Sequence, residues 1–393
     1  MENWIKITLV LCLFGTLREI RPSEPFVTEF LLGEWRNITE DQLNREVYPV
    51  GTYSYLALLV LIFLITDFLR FKPVIILSGL SGISVYAVLL WTSSIEWLQV
   101  SQFLYGLYMA TEVAYLTYIY AKVDSAKYPL VSSCTRIAAL TGRFLSGASS
   151  QLLTHYGLMN YRDLNYITFA AQILATFWAF WLPPVPYGIY FHRRSVATTI
   201  QIDVGTMNME KQNPQHSEKR SFRKDITDAA YLIARHARSA YTRPKVLAWS
   251  ALYAAAMALF VQAQTYVQLL WNQIQKDDEA PVSMLNALIH CKMDIISTAV
   301  SVLSLISSIH YAKIAGQLSD DSCFGLIFGI NTLLGTGLQS LLTLILIQTL
   351  TLPITAQYFT LSGLFLVLAS IWMLGWIVNV CRQTKSINVT HQY

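Results

Sequence analysis

Apolar runs of about 20 residues recur along nearly the whole chain, and a run of that length is what a helix needs to cross a hydrocarbon core of roughly 30 Å. They lie near residues 4–20, 51–69, 73–93, 97–121, 130–154, 163–187, 246–271, 285–309, 323–348 and 353–380. The pattern predicts an all-α polytopic membrane protein with about ten spans. Composition agrees: 54% of the 393 residues are hydrophobic and 13% are charged, whereas soluble domains carry about 25% charged residues. The first run, WIKITLVLCLFGTL, has the short apolar core of a signal peptide after Lys6. No small-residue cleavage site follows it, and REIRPSEP reads as a helix end.

Charge placement predicts orientation. Arg70 and Lys72, Lys122 and Lys127, His192 to Arg194, Lys313, and Arg382 with Lys385 follow every second run, which marks those ends as cytoplasmic. Both termini then face the cytoplasm, and acids gather in the alternate loops, as in GEWRNITEDQ and QKDDEAP. The sequon Asn37-Ile38-Thr39 falls outside and is a glycosylation site on this assignment. The second sequon, at Asn388, falls inside.

One long segment, 189–244, is polar and basic and separates two blocks of spans. The expected layout is a six-helix bundle at 1–188, a cytoplasmic linker at 189–244, a shorter helical bundle at 245–382 and a tail at 383–393. Within the linker, DITDAAYLIARHARSAY has the character of a basic amphipathic helix lying on the membrane surface. Six spans, a basic loop and a second block form the outline of a major-facilitator-type transporter, whose halves rock about a central site.

No Walker, HExxH or GxSxG sequence is present, and the five cysteines show no paired or metal-like spacing. The cysteines read as packing residues and the histidines as interfacial. Neither an enzyme nor a metal, a cofactor or a nucleic-acid partner is expected; the expected partners are the lipid bilayer and a small molecule.

Ionisable groups at membrane depth therefore carry the functional reading, because each costs about 2.5 to 3.5 kcal/mol on insertion scales. In MATEVAYLTYIYAKV and the residues before it, Tyr105, Tyr108, Glu112 and Tyr115 share one helical face. An acid flanked by aromatic rings suits an organic cation. The alternative is a structural pair between Glu112 and a neighbouring arginine such as Arg136. Asp67 and Arg70, at the cytoplasmic end of the second run, suit either gating or ordinary interfacial placement. Glu24 lines a cavity or meets water, and Gln262, Thr265, Tyr266, Gln268 and Gln339 are either substrate contacts or interhelical glue.

Six stretches resemble the reduced folate carrier and thiamine transporter family of the major facilitator superfamily: RPSEPF (21–26), YPVGTYSYLALLV (48–60), LITDFLRFKPVIILSGLS (64–81), EVAYLTYIY (112–120), YVQLLW (266–271) and FGINTLL (328–334). The resemblance implies a secondary-active vitamin transporter of the plasma membrane. It also distinguishes two branches. Folate carriers have Arg where this chain has Glu112 and Lys where it has Gln339, and the thiamine branch matches this chain at both. Arg136 matches an arginine common to both branches. A thiamine-like site implies cavity roles for Glu24, Tyr48, Glu112 and Tyr115. Two features depart from that branch: Gly51 replaces a substrate-stacking tryptophan and Val261 a polar residue. Between YVQLLW and FGINTLL, relatives have three spans where this chain has one. The expectation is a thiamine or organic-cation transporter working by alternating access. The alternatives are a folate transporter and a divergent, non-transporting member of the same family.

Overall fold

The computed structural model describes residues 3–36, 38–123, 127–185, 222–277 and 323–390. The described residues are helical, with no strand among them. The long helices are α1 (Asn3–Glu19), α2 (Tyr48–Phe68), α3 (Lys72–Trp91), α4 (Ile95–Ala110), α5 (Glu112–Lys122), α6 (Tyr128–His155), α7 (Tyr161–Ala179), α8 (Phe222–Tyr241), α9 (Pro244–Asp277), α10 (Cys323–Thr343) and α11 (Ile354–Thr390). A short helix, Val27–Leu32, follows α1 after a 3-10 turn at Glu24–Phe26. Each expected run overlaps helix except 285–309, which lies outside the described residues.

Local chemistry sets the helix starts. Pro49, Pro73 and Pro129 occupy the first turns of α2, α3 and α6, where a missing N–H costs nothing. Ser94 caps α4, and a capping box between Asn160 and Asp163 opens α7. At the α2–α3 turn, Arg70 and Phe71 both adopt positive φ, 61° and 67°. Lys72 Nζ then donates to the Phe180 carbonyl at 2.8 Å and Lys122 Nζ to the Pro184 carbonyl at 3.1 Å. Two of the lysines that mark orientation in the sequence thus also satisfy carbonyls at and beyond the end of α7.

Five helical stretches are long and apolar enough to cross a membrane among the described residues, and they lie in α2, α3, α9, α10 and α11. Large apolar side chains such as Trp91, Phe144, Phe177, Phe359 and Leu366 are exposed; in a multi-pass protein such a surface faces lipid. Helix α1 packs on α6 and α7, α3 on α7, and α2 on α4. Contacts of α1 with α6 rise together in residue number: Thr16 Oγ1 with the Ala138 carbonyl at 3.1 Å, Glu19 with Arg143 at 2.8 Å, and the Arg21 amide with Ser146 Oγ at 3.1 Å. These two helices therefore run parallel. In the second half α9 packs on α10 and α11, and α10 also packs on α2, joining the halves. A buried cluster containing Tyr48 and Leu98 from the first half and Tyr266 and Leu346 from the second completes that junction.

The α2–α4 crossing depends on two glycines. A Cβ on Gly106 would lie 2.7 Å from Ser54 Cβ and 2.8 Å from the Tyr55 amide nitrogen, and one on Gly51 would lie 2.7 Å from Gln102 Oε1. Backbones approach here as at other small-residue interfaces in membranes. Gly51 thus fills a helix contact, and the tryptophan that the resemblance places there has no room in this packing. Gly106→Leu is expected to force the helices apart at a cost of about 1 to 3 kcal/mol, read as a lower melting temperature in detergent. An unchanged melting temperature would mean that the crossing tolerates separation.

The basic amphipathic segment is helix α8, and it is tied to the bundle: Tyr241 hydroxyl donates to Asn331 Oδ1 at 2.7 Å. Its Tyr231, Arg235 and Arg238 side chains are exposed. Helix α11 continues unbroken to Thr390, so the expected tail at 383–393 is helical through that residue.

Candidate functional site

The site forms where α1 ends. Arg18, in its last turn, lies 3.6 Å from Glu112 and 3.7 Å from Glu19. Each charge of the Arg18–Glu112 pair sits where a helix dipole favours it, the cation at a C-terminus and the acid in a first turn. Arg18 also stands 4.3 Å over the Tyr108 ring and donates through Nη2 to the Tyr108 carbonyl at 3.2 Å. Tyr108 hydroxyl and Gln172 Nε2 in turn donate to the Arg18 carbonyl at 3.2 and 3.0 Å.

Those contacts account for an interruption that the sequence does not announce. The expected single span at 97–121 is two helices, α4 and α5, divided at Thr111. The Tyr108 carbonyl is the acceptor a continuous helix would offer the Glu112 amide. It receives Arg18 Nη2 and, at 2.8 Å, Thr111 Oγ1. Competing donors of this kind loosen a helix locally, and here the break places Glu112 at a helix start. Discontinuous helices of this type line the substrate sites of many transporters.

Glu19 is the hub of the charge network. Its carboxylate accepts from Arg21 Nη2 at 2.9 Å and from Arg143 Nε at 2.8 Å, besides facing Arg18. Arg21 also pairs with Glu24 at 3.2 Å. Three arginines and three glutamates are thus interlinked, which is the condition under which burying charge is tolerable, because an isolated ion costs several kcal/mol. Neither Glu19 nor Arg143 stands out as a site residue in the sequence. A signal existed: Arg136 and Arg143 are seven apart, two helical turns, and so share a face of α6.

Beside this network is a cavity of about 60 Å³ lined by α1, α5 and α6, with Arg18, Glu19, Glu112, Tyr115, Arg136 and Arg143 on its walls. Glu112 keeps 25% of its side chain exposed, while Glu19 keeps 5%. The structural alternative for Glu112, a pair with a neighbouring arginine such as Arg136, takes the form of a pair with Arg18. Among the described residues Arg136 enters no ion pair, so it stands as a free cation on the wall. Tyr115 is buried against Phe14 with ring centroids 5.3 Å apart, and its hydroxyl donates to the Leu11 carbonyl at 3.1 Å. The tyrosine stripe divides accordingly: Tyr108 serves Arg18, Tyr105 stacks on Tyr108 at 6.1 Å, and Tyr115 reaches the cavity.

The other expected site residues are elsewhere. Glu24 is 40% exposed and paired with Arg21, outside the cavity lining. Tyr48 is buried, with its hydroxyl 2.8 Å from Thr28 Oγ1 and its ring edge-on to Tyr266 at 5.7 Å. Gln339 is buried in α10, and its Oε1 has no hydrogen-bond partner among the described residues. Gln262 accepts from Thr343 Oγ1 at 2.9 Å, a contact within the second half. Arg70 is exposed at its turn. Asp67 falls in the last turn of α2 with its side chain outside the described residues, as is Asn37. No group of three or more metal-ligating side chains occurs among the described residues.

Similarity to known proteins agrees with this architecture. A family model described as reduced folate carrier matches residues 2–307 and 299–360. Its two pieces overlap at residues 299–307, between YVQLLW and FGINTLL. Folate-like transporter 3 of Caenorhabditis elegans is 31% identical over 417 positions, covering 95% of this chain and 96% of that protein. The reduced folate transporter of Homo sapiens is 28% identical, covering 98% and 74%, and thiamine transporter 1 of Mus musculus is 29% identical, covering 98% and 92%. The 417 aligned positions outnumber the 393 residues here, so that relative carries residues that this chain lacks. Among solved structures, a mutant of the nucleoside transporter NupG shares the fold with a TM-score of 0.55 at 13% identity, over 94% of this chain and 99% of that one. The chain belongs to the reduced folate carrier family, whose members are multi-pass membrane transporters and not enzymes, and it shares its fold with the nucleoside transporter NupG.

Proposed function

We propose that this protein is a secondary-active vitamin transporter of the plasma membrane that works by alternating access and prefers thiamine or a related organic cation to folate. The observation that carries the preference is Glu112: a carboxylate on the cavity wall, one quarter exposed, beside Tyr115. A cationic ring entering there gains a charge partner and an aromatic wall. Arg18 and Arg143 are already matched by Glu19 and Glu112, so they offer a dianionic substrate little net attraction.

Cavity size supports a moving site. At roughly 10 to 15 Å³ per water the space holds only a handful of waters, too few for a vitamin. The walls must part to admit substrate, which rocking of two bundles accomplishes. Relatives at similar identity are named both folate and thiamine transporters, so kinship leaves the choice to site chemistry.

The guanidinium of Arg136, in no ion pair among the described residues, favours the folate alternative. Competition for uptake separates the two. Unlabelled thiamine or small organic cations are expected to suppress labelled thiamine uptake, with folate at equal concentration leaving it nearly unchanged. Suppression by folate alone would reverse the preference. Absence of uptake of either vitamin, with normal surface expression, would point to a non-transporting member of the family.

A further inference from the structure

We infer that Gln268 is the latch of a gate at the end of the molecule opposite Arg70, Lys72 and Lys122, holding the second half of the protein to the backbone of the Glu24–Thr28 segment in the first. Its Nε2 donates to the Glu24 carbonyl at 2.7 Å and its Oε1 accepts from the Thr28 amide at 3.0 Å. One amide side chain therefore uses both of its ends on two backbone groups of a partner segment. The Thr28 amide is among the first N–H groups of the Val27–Leu32 helix, which have no partner within that helix. Gln268 supplies one across the junction between halves.

The surroundings are built around this contact. Thr28, almost fully buried, holds Tyr48 through its hydroxyl, and Tyr48 meets Tyr266 of the same helix as Gln268 edge to face. A second polar bridge between halves, Tyr53 hydroxyl to Gln348 Oε1 at 3.0 Å, lies nearer the surface. Glu24 joins the latch to the charge network, since its carboxylate pairs with Arg21, which shares Glu19 with Arg143 on the cavity wall.

A comparison within α9 separates a latch from ordinary glue. Gln262 bonds to Thr343 inside the second half, so that bond survives if the halves rock as bodies. The Gln268 bonds cross between halves and must break in one of the two states. They are neutral hydrogen bonds of modest net strength, able to bias an equilibrium without locking it. The inference rests on the alternating-access reading above, but its test needs no substrate.

In Gln268→Ala, amide exchange of the segment 24–32 is expected to accelerate roughly tenfold, the effect of losing about 1.4 kcal/mol, while exchange in α3 stays unchanged. Gln268→Glu is expected to act more weakly than Gln268→Ala, because a carboxylate still accepts from the Thr28 amide but cannot donate to the Glu24 carbonyl. As a second readout, Thr28→Cys keeps the backbone amide that Gln268 uses. With the five native cysteines replaced, it should react with a membrane-impermeant maleimide several-fold faster when Gln268→Ala is added. Unchanged exchange and labelling would overturn the latch, and so would acceleration throughout the chain, since a latch acts locally. Local acceleration without vitamin uptake would leave the latch standing and remove the transport reading instead.

Discussion

Glu19→Gln is expected to leave little folded protein. Glu19 is buried between three arginines, and glutamine keeps its shape while removing its charge. Arg18, Arg21 and Arg143 would then share only Glu24 and Glu112, with Arg136 close by on the cavity wall. Removing one partner of a buried pair costs about 3 to 5 kcal/mol, against a total stability of roughly 5 to 15 kcal/mol. Thermal unfolding in detergent and the amount of protein at the cell surface both report the loss. Glu19→Asp, which keeps the charge on a shorter stem, should recover part of it. A melting temperature equal to that of the wild type would show that the arginines are held by other means.

Glu112→Gln is expected to have the opposite profile: near-normal folding and lost uptake. Glu112 is partly exposed, and Arg18 retains Glu19 and the Tyr108 ring when Glu112 is neutralised. A cationic substrate, by contrast, loses its charge partner in the cavity. Truncating one side of a buried, hydrogen-bonded charge pair costs about 2 to 5 kcal/mol, so uptake at low substrate concentration should fall at least tenfold. Uptake of labelled thiamine, normalised to surface protein, measures it. Equal uptake by both proteins, well above background, would remove Glu112 from the site.

The contrast between two neighbouring acids shows what a sequence conveys about a membrane site. Glu112 stands out because it interrupts an apolar run, where a carboxylate is expensive. Glu19 does not stand out, because it sits at a helix end among charges that look interfacial; only the fold reveals that α6 and α7 bury that end. The tyrosines at helical spacing are legible as a face. That Tyr108 belongs to Arg18 while Tyr115 belongs to the cavity is not, because spacing along one helix says nothing about which neighbour covers each turn. Tyr48 and Gln339 likewise look polar enough for a site, yet their burial in other contacts depends on how α2 meets α9 and how α10 packs.

By itself the sequence determined the long apolar helices, several of their starting points through proline and capping residues, and the presence of one costly acid that needs a partner. Those properties are local, set by hydropathy, backbone chemistry and spacing. The tertiary structure decided the partner, Arg18, along with the break at Thr111, the hub at Glu19 and the latch at Gln268. Each of these joins residues from different helices, and helical periodicity defines the faces of a single helix without specifying the register between two. That register is set by close approaches such as Gly142 against the Thr16 carbonyl, where a Cβ would lie 2.5 Å away. Such fits are satisfied only when all the helices pack together.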